Sequence, residues 1–136
     1  LVTFIPMLTD TGGNAGSQSS TMIIRGMAVG EIEAGDILRV LWKELRVGVI
    51  VGVLLGLVNY IQLVIRFPGQ EMLCLTVVLS LLATVMLAKT IGCVLPIVAQ
   101  VLHLDPAIMA APLITTIVDA VSLIIYFQLA CSLLKI

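Results

Sequence analysis

The sequence predicts an all-α fold, a polytopic bundle of transmembrane helices forming one domain over residues 1–136. Composition is the first reason, because 60% of the residues are hydrophobic and only 11% are charged, whereas soluble domains are about 45–50% apolar and about 25% charged. The second reason is that the apolar residues form runs close to the roughly 20 residues that a helix needs to cross a bilayer. No strand-like alternation is visible, and a helix satisfies its own backbone groups in lipid.

Four helices, designated A to D, follow from the hydrophobic map. Helix B contains the cleanest run, residues 47–65, which carries no charge. Helix C is long, and Gly92 and Pro96 predict a break or a kink in it. The predicted bounds are about 1–27 for helix A, 46–66 for helix B, 70–100 for helix C and 106–134 for helix D.

The connection between helices A and B, residues 28–45, contains an amphipathic segment. Residues 34–46 read AGDILRVLWKELR. One interpretation is an interfacial helix with Trp42 at the level of the lipid headgroups. The other is a solvated cytoplasmic start of helix B, and the sequence alone does not choose between them.

Basic residues in the short connections predict the orientation in the membrane. The A–B side carries Arg25, Arg39, Lys43 and Arg46, whereas the B–C turn carries Arg66 alone. We therefore expect a multi-pass plasma-membrane protein with the A–B connection in the cytoplasm and the C-terminus outside.

Several function classes are disfavoured by composition. The net charge of −1 gives no field to attract nucleic acid. The cysteines lie in apolar runs without ligand spacing, and no Ser/His/Asp or Cys/His pairing indicates an enzyme. Because the chain opens in mid-pattern at Leu1, we expect it to be a fragment of a longer protein.

Glycines at four-residue spacing predict close helix packing. Gly12 and Gly16 form such a pair in helix A, and Gly48, Gly52 and Gly56 repeat the spacing in helix B. Each row leaves a flat strip along which another helix can approach.

Asp119 is the residue that points most directly to a function. It stands near the middle of helix D, and an acid there costs about 2.5–3.5 kcal/mol on insertion scales, so it usually faces a cavity or a partner. Polar residues at helical spacing form one stripe on helix D and another on helix A, which indicates two walls of a water-filled path. The stripes are Pro112, Thr115, Thr116, Asp119, Ser122 and Tyr126 on helix D, and Asp10, Asn14, Ser17, Gln18, Thr21 and Arg25 on helix A.

Oxygen atoms dominate both stripes, and they suit a hard cation that keeps much of its water. Magnesium, calcium, sodium and protons all remain candidates on this argument. In one alternative, Asp119 pairs with Lys89 or is held by threonine hydroxyls, and the stripes join helices in a non-transporting scaffold. In another, Asp119 is the titrating site of a proton- or sodium-coupled carrier. Asp105 is explained as the cap of helix D and is a possible cation site at the inner mouth.

Two paired motifs resemble the membrane domain of the MgtE family of magnesium channels. They are PMLTDTGGNAGSQSSTMIIRGMA near the start, and LDPAIMAAPLITTIVD followed by IYFQLA near the end. The resemblance covers nearly the whole chain and implies the second to fifth of five membrane helices. It also implies a homodimer, an axial pore lined by the second and fifth helices, and cytosolic N- and CBS domains that are absent here.

The resemblance also implies roles for particular residues. Asp119 matches the family's pore aspartate, whose two copies hold a hydrated Mg²⁺ on the dimer axis, and Thr115 faces the same ion one turn earlier. Asn14 matches the pore-lining motif of the second helix. Ser122 departs from the pattern, because the family usually has glycine there.

Overall fold

Four long helices make up the fold, as the all-α prediction expected. The computed structural model describes residues 1–109 and 111–136, and shows no strand within them. Short 3₁₀ turns at Val2–Phe4, Ala34–Asp36 and Pro106–Met109 precede helices α1, α2 and α4. The helices are α1 (Ile5–Ala28), α2 (Ile37–Arg66), α3 (Glu71–Val101) and α4 (Ala111–Leu134).

Three of the helices are long and apolar enough to cross a membrane, namely α2, α3 and α4. Helix α1 has 24 residues, as many as α4, and at 1.5 Å per residue it is long enough to span the hydrocarbon core. Its polar residues keep its hydropathy below that of the other three. Helix α1 packs against α3 and α4, so part of its polar surface is covered by neighbouring helices.

Helix α2 begins well before the predicted start of helix B. Residues 37–46 belong to one continuous helix that runs to Arg66, and they do not form a separate interfacial helix. No glycine or proline interrupts residues 37–47, so nothing local ends the helix there. The first turns are not fully solvated either, because Glu44 is only 2% exposed.

Helix α3 is the centre of the bundle and contacts the other three helices. It continues as one helix through Gly92 and Pro96, so the predicted break is absent and a kink there stays a prediction. At the end of the bundle away from Gly92 and Pro96, the Tyr126 hydroxyl donates a hydrogen bond of 2.9 Å to the carbonyl oxygen of Leu1. That bond joins the end of α4 to the start of α1, as expected for antiparallel neighbours.

Glycine rows allow the close approaches that the sequence predicted. A Cβ added to Gly16 would lie 3.1 Å from the carbonyl oxygen of Ala88 on α3 and 2.9 Å from Cγ2 of Ile114 on α4. On α2, a Cβ at Gly48 would meet Cδ of Lys89 at 3.1 Å. The missing side chains therefore let α1 fit between α3 and α4, and let α2 lie along α3.

Gly92 of α3 lies directly against the backbone of Gly16 on α1, and we expect Gly92→Ala to destabilise the fold strongly. The new methyl group would run into the carbonyl oxygen of Gly16, and a helix backbone cannot move aside as a side chain can. Overpacking of this kind lowers the free energy of unfolding by about 1–3 kcal/mol. Denaturant titration in detergent micelles measures the change.

Gly35→Ala is the matched control, because no atom lies within 4 Å of the added Cβ. We expect this variant to stay within about 0.5 kcal/mol of the parent. Equal stabilities for the two variants would contradict the proposed contact.

Candidate ion-binding groove

An open groove of about 370 Å³ lies between α1 and α4. We name it the acidic groove, because two carboxylates and several other oxygen-bearing side chains line it. Its lining residues are Pro6, Thr9, Asp10, Gly13, Asn14, Thr115 and Asp119. Four of them, Asp10, Asn14, Thr115 and Asp119, are residues that the two polar stripes predicted.

Helical spacing explains how α1 contributes to this groove. Pro6, Asp10, Gly13 and Asn14 recur every three or four residues and so share one face. Gly13 brings α4 close, since a Cβ there would lie 3.2 Å from Cγ2 of Thr115 and 3.9 Å from Oδ1 of Asp119. Pro6 and Thr9 were not among the predicted stripe residues. The stripe spacing extended one turn before Asp10 reaches Pro6, whereas Thr9 lies one turn before Gly13, which the stripe did not include.

The polar groups of the groove have oxygen lone pairs free for a ligand. The hydroxyl of Thr115 donates to the carbonyl oxygen of Pro112 at 3.1 Å, and that of Thr9 donates to Ile5 at 3.0 Å. Both hydroxyl oxygens can still accept or ligate. Within the described ranges 1–109 and 111–136, the Asp119 carboxylate forms neither a hydrogen bond nor an ion pair.

The pairing of Asp119 with Lys89 that we considered is wrong, because Lys89 has another partner. Its Nζ lies 3.2 Å from Oε2 of Glu44 on α2 and 3.2 Å from Oγ of Ser19 on α1. The Ser19 hydroxyl donates to the same Oε2 at 2.6 Å. All three residues are buried, so this triad joins three helices by charge-assisted hydrogen bonds.

This triad was not predicted, and Glu44 was expected to lie in a solvated or interfacial segment. A signal was present, because Glu44 stands four residues before Gly48 and continues the row of Gly48, Gly52 and Gly56. That row faces α3, so an acid in the same row must also face α3. Its partner on α3 is Lys89, one turn after Met86.

The remaining stripe residues lie elsewhere. Gln18 and Thr21 are exposed and Ser17 is half-buried, further along α1, while Pro112 and Thr116 are exposed on α4. Ser122 does not line the groove, because it is 1% exposed and donates to the carbonyl oxygen of Asp119.

Ser122 and Asp105 lie outside the acidic groove for different physical reasons. Ser122 belongs to the buried row of α4 with Val118 and Tyr126, so its hydroxyl bonds to its own helix. Asp105 is exposed outside the acidic groove, and its Oδ1 accepts the backbone N–H of Ala107 at 3.0 Å. It therefore caps the turn before α4, as predicted.

The chemistry of the groove favours a hydrated hard cation. Carboxylate, amide and hydroxyl oxygens are the ligands that Mg²⁺ and similar ions take. The groove volume of about 370 Å³ is much larger than the roughly 30 Å³ of one water, so an ion can enter with waters of its shell. Among the described residues, no group of three or more acidic, histidine or cysteine side chains could hold a metal ion alone. One protomer therefore offers two carboxylates and space for water, and no closed cage.

Comparison with known proteins agrees with this chemistry. The sequence profile of the MgtE family, described as a divalent cation transporter, matches residues 5–129. A magnesium transporter MgtE from Thermus thermophilus is 36% identical over 135 residues, which cover 99% of this chain and 30% of that protein. The relative of the same name from Bacillus subtilis is 35% identical over 130 residues, or 96% of this chain and 29% of that protein.

A third relative of that name, from Enterococcus faecalis, is 29% identical over 136 residues. The chain thus spans about 30% of the length of the relatives that it matches. Its long apolar helices also show that it is part of a multi-pass membrane protein. The profile match covers most of the chain, and the chain therefore belongs to the MgtE family of divalent cation transporters.

Proposed function

We propose that this chain is the membrane domain of a magnesium channel that conducts a largely hydrated Mg²⁺ ion through a pore at the axis of a homodimer. The observation that carries the proposal is the unpaired carboxylate of Asp119, which faces an open groove together with Asp10. An intramembrane acid without a partner in its own protomer normally marks an ion path. The relatives' name, magnesium transporter, supplies the choice of ion.

A second copy of the chain completes the site in this proposal. The acidic groove is open along one side of the protomer and offers too few ligands to replace the shell of an ion. Two copies that face each other would place two Asp119 carboxylates and two Thr115 hydroxyls around one hydrated ion. Magnesium gives up its waters reluctantly, so ligands that act through water suit it.

The proposal extends to topology and to partners. The A–B connection lies in the cytoplasm and the C-terminus lies outside, following the four basic residues near the end of α1 and the start of α2. The cytosolic N- and CBS domains of the complete chain meet this face and regulate the pore. Lipid surrounds the outward apolar side chains of α2, such as Ile50, Leu54 and Ile61.

Magnesium flux in vesicles tests the proposal. The complete natural chain that contains this domain is reconstituted, and Mg²⁺ entry is followed with a fluorescent indicator trapped inside. We expect entry to follow the Mg²⁺ gradient alone and to be unchanged when a proton or sodium gradient is imposed. Entry that requires either gradient would favour the coupled carrier, in which Asp119 takes up and releases the coupling ion.

A further inference from the structure

A second groove lies at the other end of α1, where it meets the start of α2. Its volume is about 710 Å³. Four basic side chains line it, and we name it the basic groove after them: Arg25, Arg39, Lys43 and Arg46. Trp42, the one tryptophan of the sequence, also lines it and is 64% exposed.

The charges of the basic groove are not balanced within the protomer. Two acids line it as well, Glu31 and Glu44, but Glu44 is already paired with Lys89 at 3.2 Å. Arg39 lies 3.2 Å from Asp36. In the part of the chain that the structure describes, this leaves three cations without an ion pair, Arg25, Lys43 and Arg46, against the one carboxylate of Glu31.

The surroundings of the groove favour an amphiphilic ligand. Arg46 is followed directly by an apolar surface of α2, on which Val49, Ile50 and Val53 are exposed. A phosphate between the cations would therefore place attached acyl chains along the lipid-facing side of α2. Since lipid covers this face of α2 in the proposed membrane position, a headgroup held in the groove would keep its acyl chains within the bilayer.

The recognition chemistry fits the same ligand. Guanidinium groups form paired hydrogen bonds with phosphate oxygens, and an ammonium adds a point charge. Tryptophan is enriched at the level of the headgroups. Basic pockets between helices on the cytoplasmic side of a membrane protein suit anionic lipid headgroups.

We propose that the basic groove binds the headgroup of an anionic phospholipid, with the phosphate between Arg25, Lys43 and Arg46 and with Trp42 beside the glycerol backbone. The site rests on the proposed cytoplasmic position of the A–B connection. It is independent of ion conduction, so loss of flux in the vesicle experiment would leave it untouched.

Fluorescence quenching of Trp42 tests the site in the complete chain. The protein is reconstituted in phosphatidylcholine with an increasing share of brominated phosphatidylglycerol, and a Trp42→Phe variant provides the signal to subtract. The quenching curve gives the affinity for phosphatidylglycerol relative to phosphatidylcholine. We expect a clear preference for the anionic lipid in the parent protein. Equal quenching by brominated phosphatidylglycerol and by brominated phosphatidylcholine, titrated in the same way, would overturn the proposal.

The variant Lys43→Gln/Arg46→Gln removes two of the three unpaired cations. Each should contribute about fivefold to the preference, so their joint loss should reduce it by about 25-fold. The matched control is Arg66→Gln/Lys135→Gln, which removes two exposed basic residues outside the basic groove and should leave the preference unchanged. If both double variants lose the same share of the preference for phosphatidylglycerol, the effect comes from net charge in general, and the proposed site is wrong.

Inorganic phosphate separates a lipid site from a site for soluble anions. At constant ionic strength, we expect excess phosphate in solution to leave the quenching by phosphatidylglycerol unchanged. If phosphate abolishes the lipid preference, the groove takes its ligand from solution and the lipid assignment is wrong.

Discussion

Asp119→Asn is expected to lower magnesium flux by about a hundredfold or more. A full charge within about 5 Å of a divalent ion contributes several kcal/mol at an effective dielectric constant of about 20, and each 1.4 kcal/mol is a factor of ten. In the proposed dimer the substitution removes this charge twice. Asparagine keeps the size of the side chain, so the groove retains its shape. Flux of Mg²⁺ into reconstituted vesicles measures the effect.

Two further measurements make the result specific. Glu71→Gln removes an exposed acid from the first turn of α3, outside the acidic groove, and should leave flux within twofold of the parent, about 0.4 kcal/mol. The mass of the Asp119→Asn complex in detergent should equal that of the parent, because Asp119 forms no ion pair in the described structure. Normal flux in Asp119→Asn would exclude it as the pore residue.

Lys89→Met is expected to reduce the free energy of unfolding by about 3–5 kcal/mol, the range found when one partner of a buried ion pair is removed. The substitution leaves the carboxylate of Glu44 buried at 2% exposure with only the hydroxyl of Ser19 as a partner. Methionine has a similar length and packs in apolar surroundings, so the loss reflects the missing charge. Denaturant titration in micelles measures it.

A double-mutant cycle separates the pair from its surroundings. Glu44→Leu combined with Lys89→Met removes both charges, and we expect the double variant to recover most of the stability that Lys89→Met loses. Arg39→Gln is the control, because it removes a salt bridge whose arginine is 76% exposed and should cost about 1 kcal/mol or less. Additive losses in the cycle would contradict a direct interaction between Glu44 and Lys89.

The fold could be predicted from sequence to the extent that it depends on local pattern. Long apolar runs gave α2, α3 and α4, although Lys89 and Asp119 interrupt two of them. The polar stripe of α1 identified Asp10 and Asn14 as residues of one face. The start of α2 was placed too late, because the hydrophobic map began helix B at its uncharged run and left out the charged turns before it. Glu44 shows why this fails, since a buried ion pair makes a charged turn part of the packed helix.

The residues of the acidic groove were easier to predict than the contacts between helices. Asp119 and Thr115 stand out in the sequence, because oxygen-bearing side chains recur at helical spacing in an otherwise apolar helix. The partner of Lys89 depends on the distance between three helices, which no single helix encodes. Ser122 was misplaced for a related reason, because its burial depends on how α4 is rotated against its neighbours.

The polarity of α1 has a consequence for how the protein is made. A segment of this composition gains little by entering lipid alone, since its acid, amides and hydroxyls would all lose water. Its glycine face becomes favourable only against α3 and α4, which the ribosome produces later. We therefore expect α1 to remain within the insertion machinery until α4 has emerged, and the membrane to receive these helices together as one assembled unit.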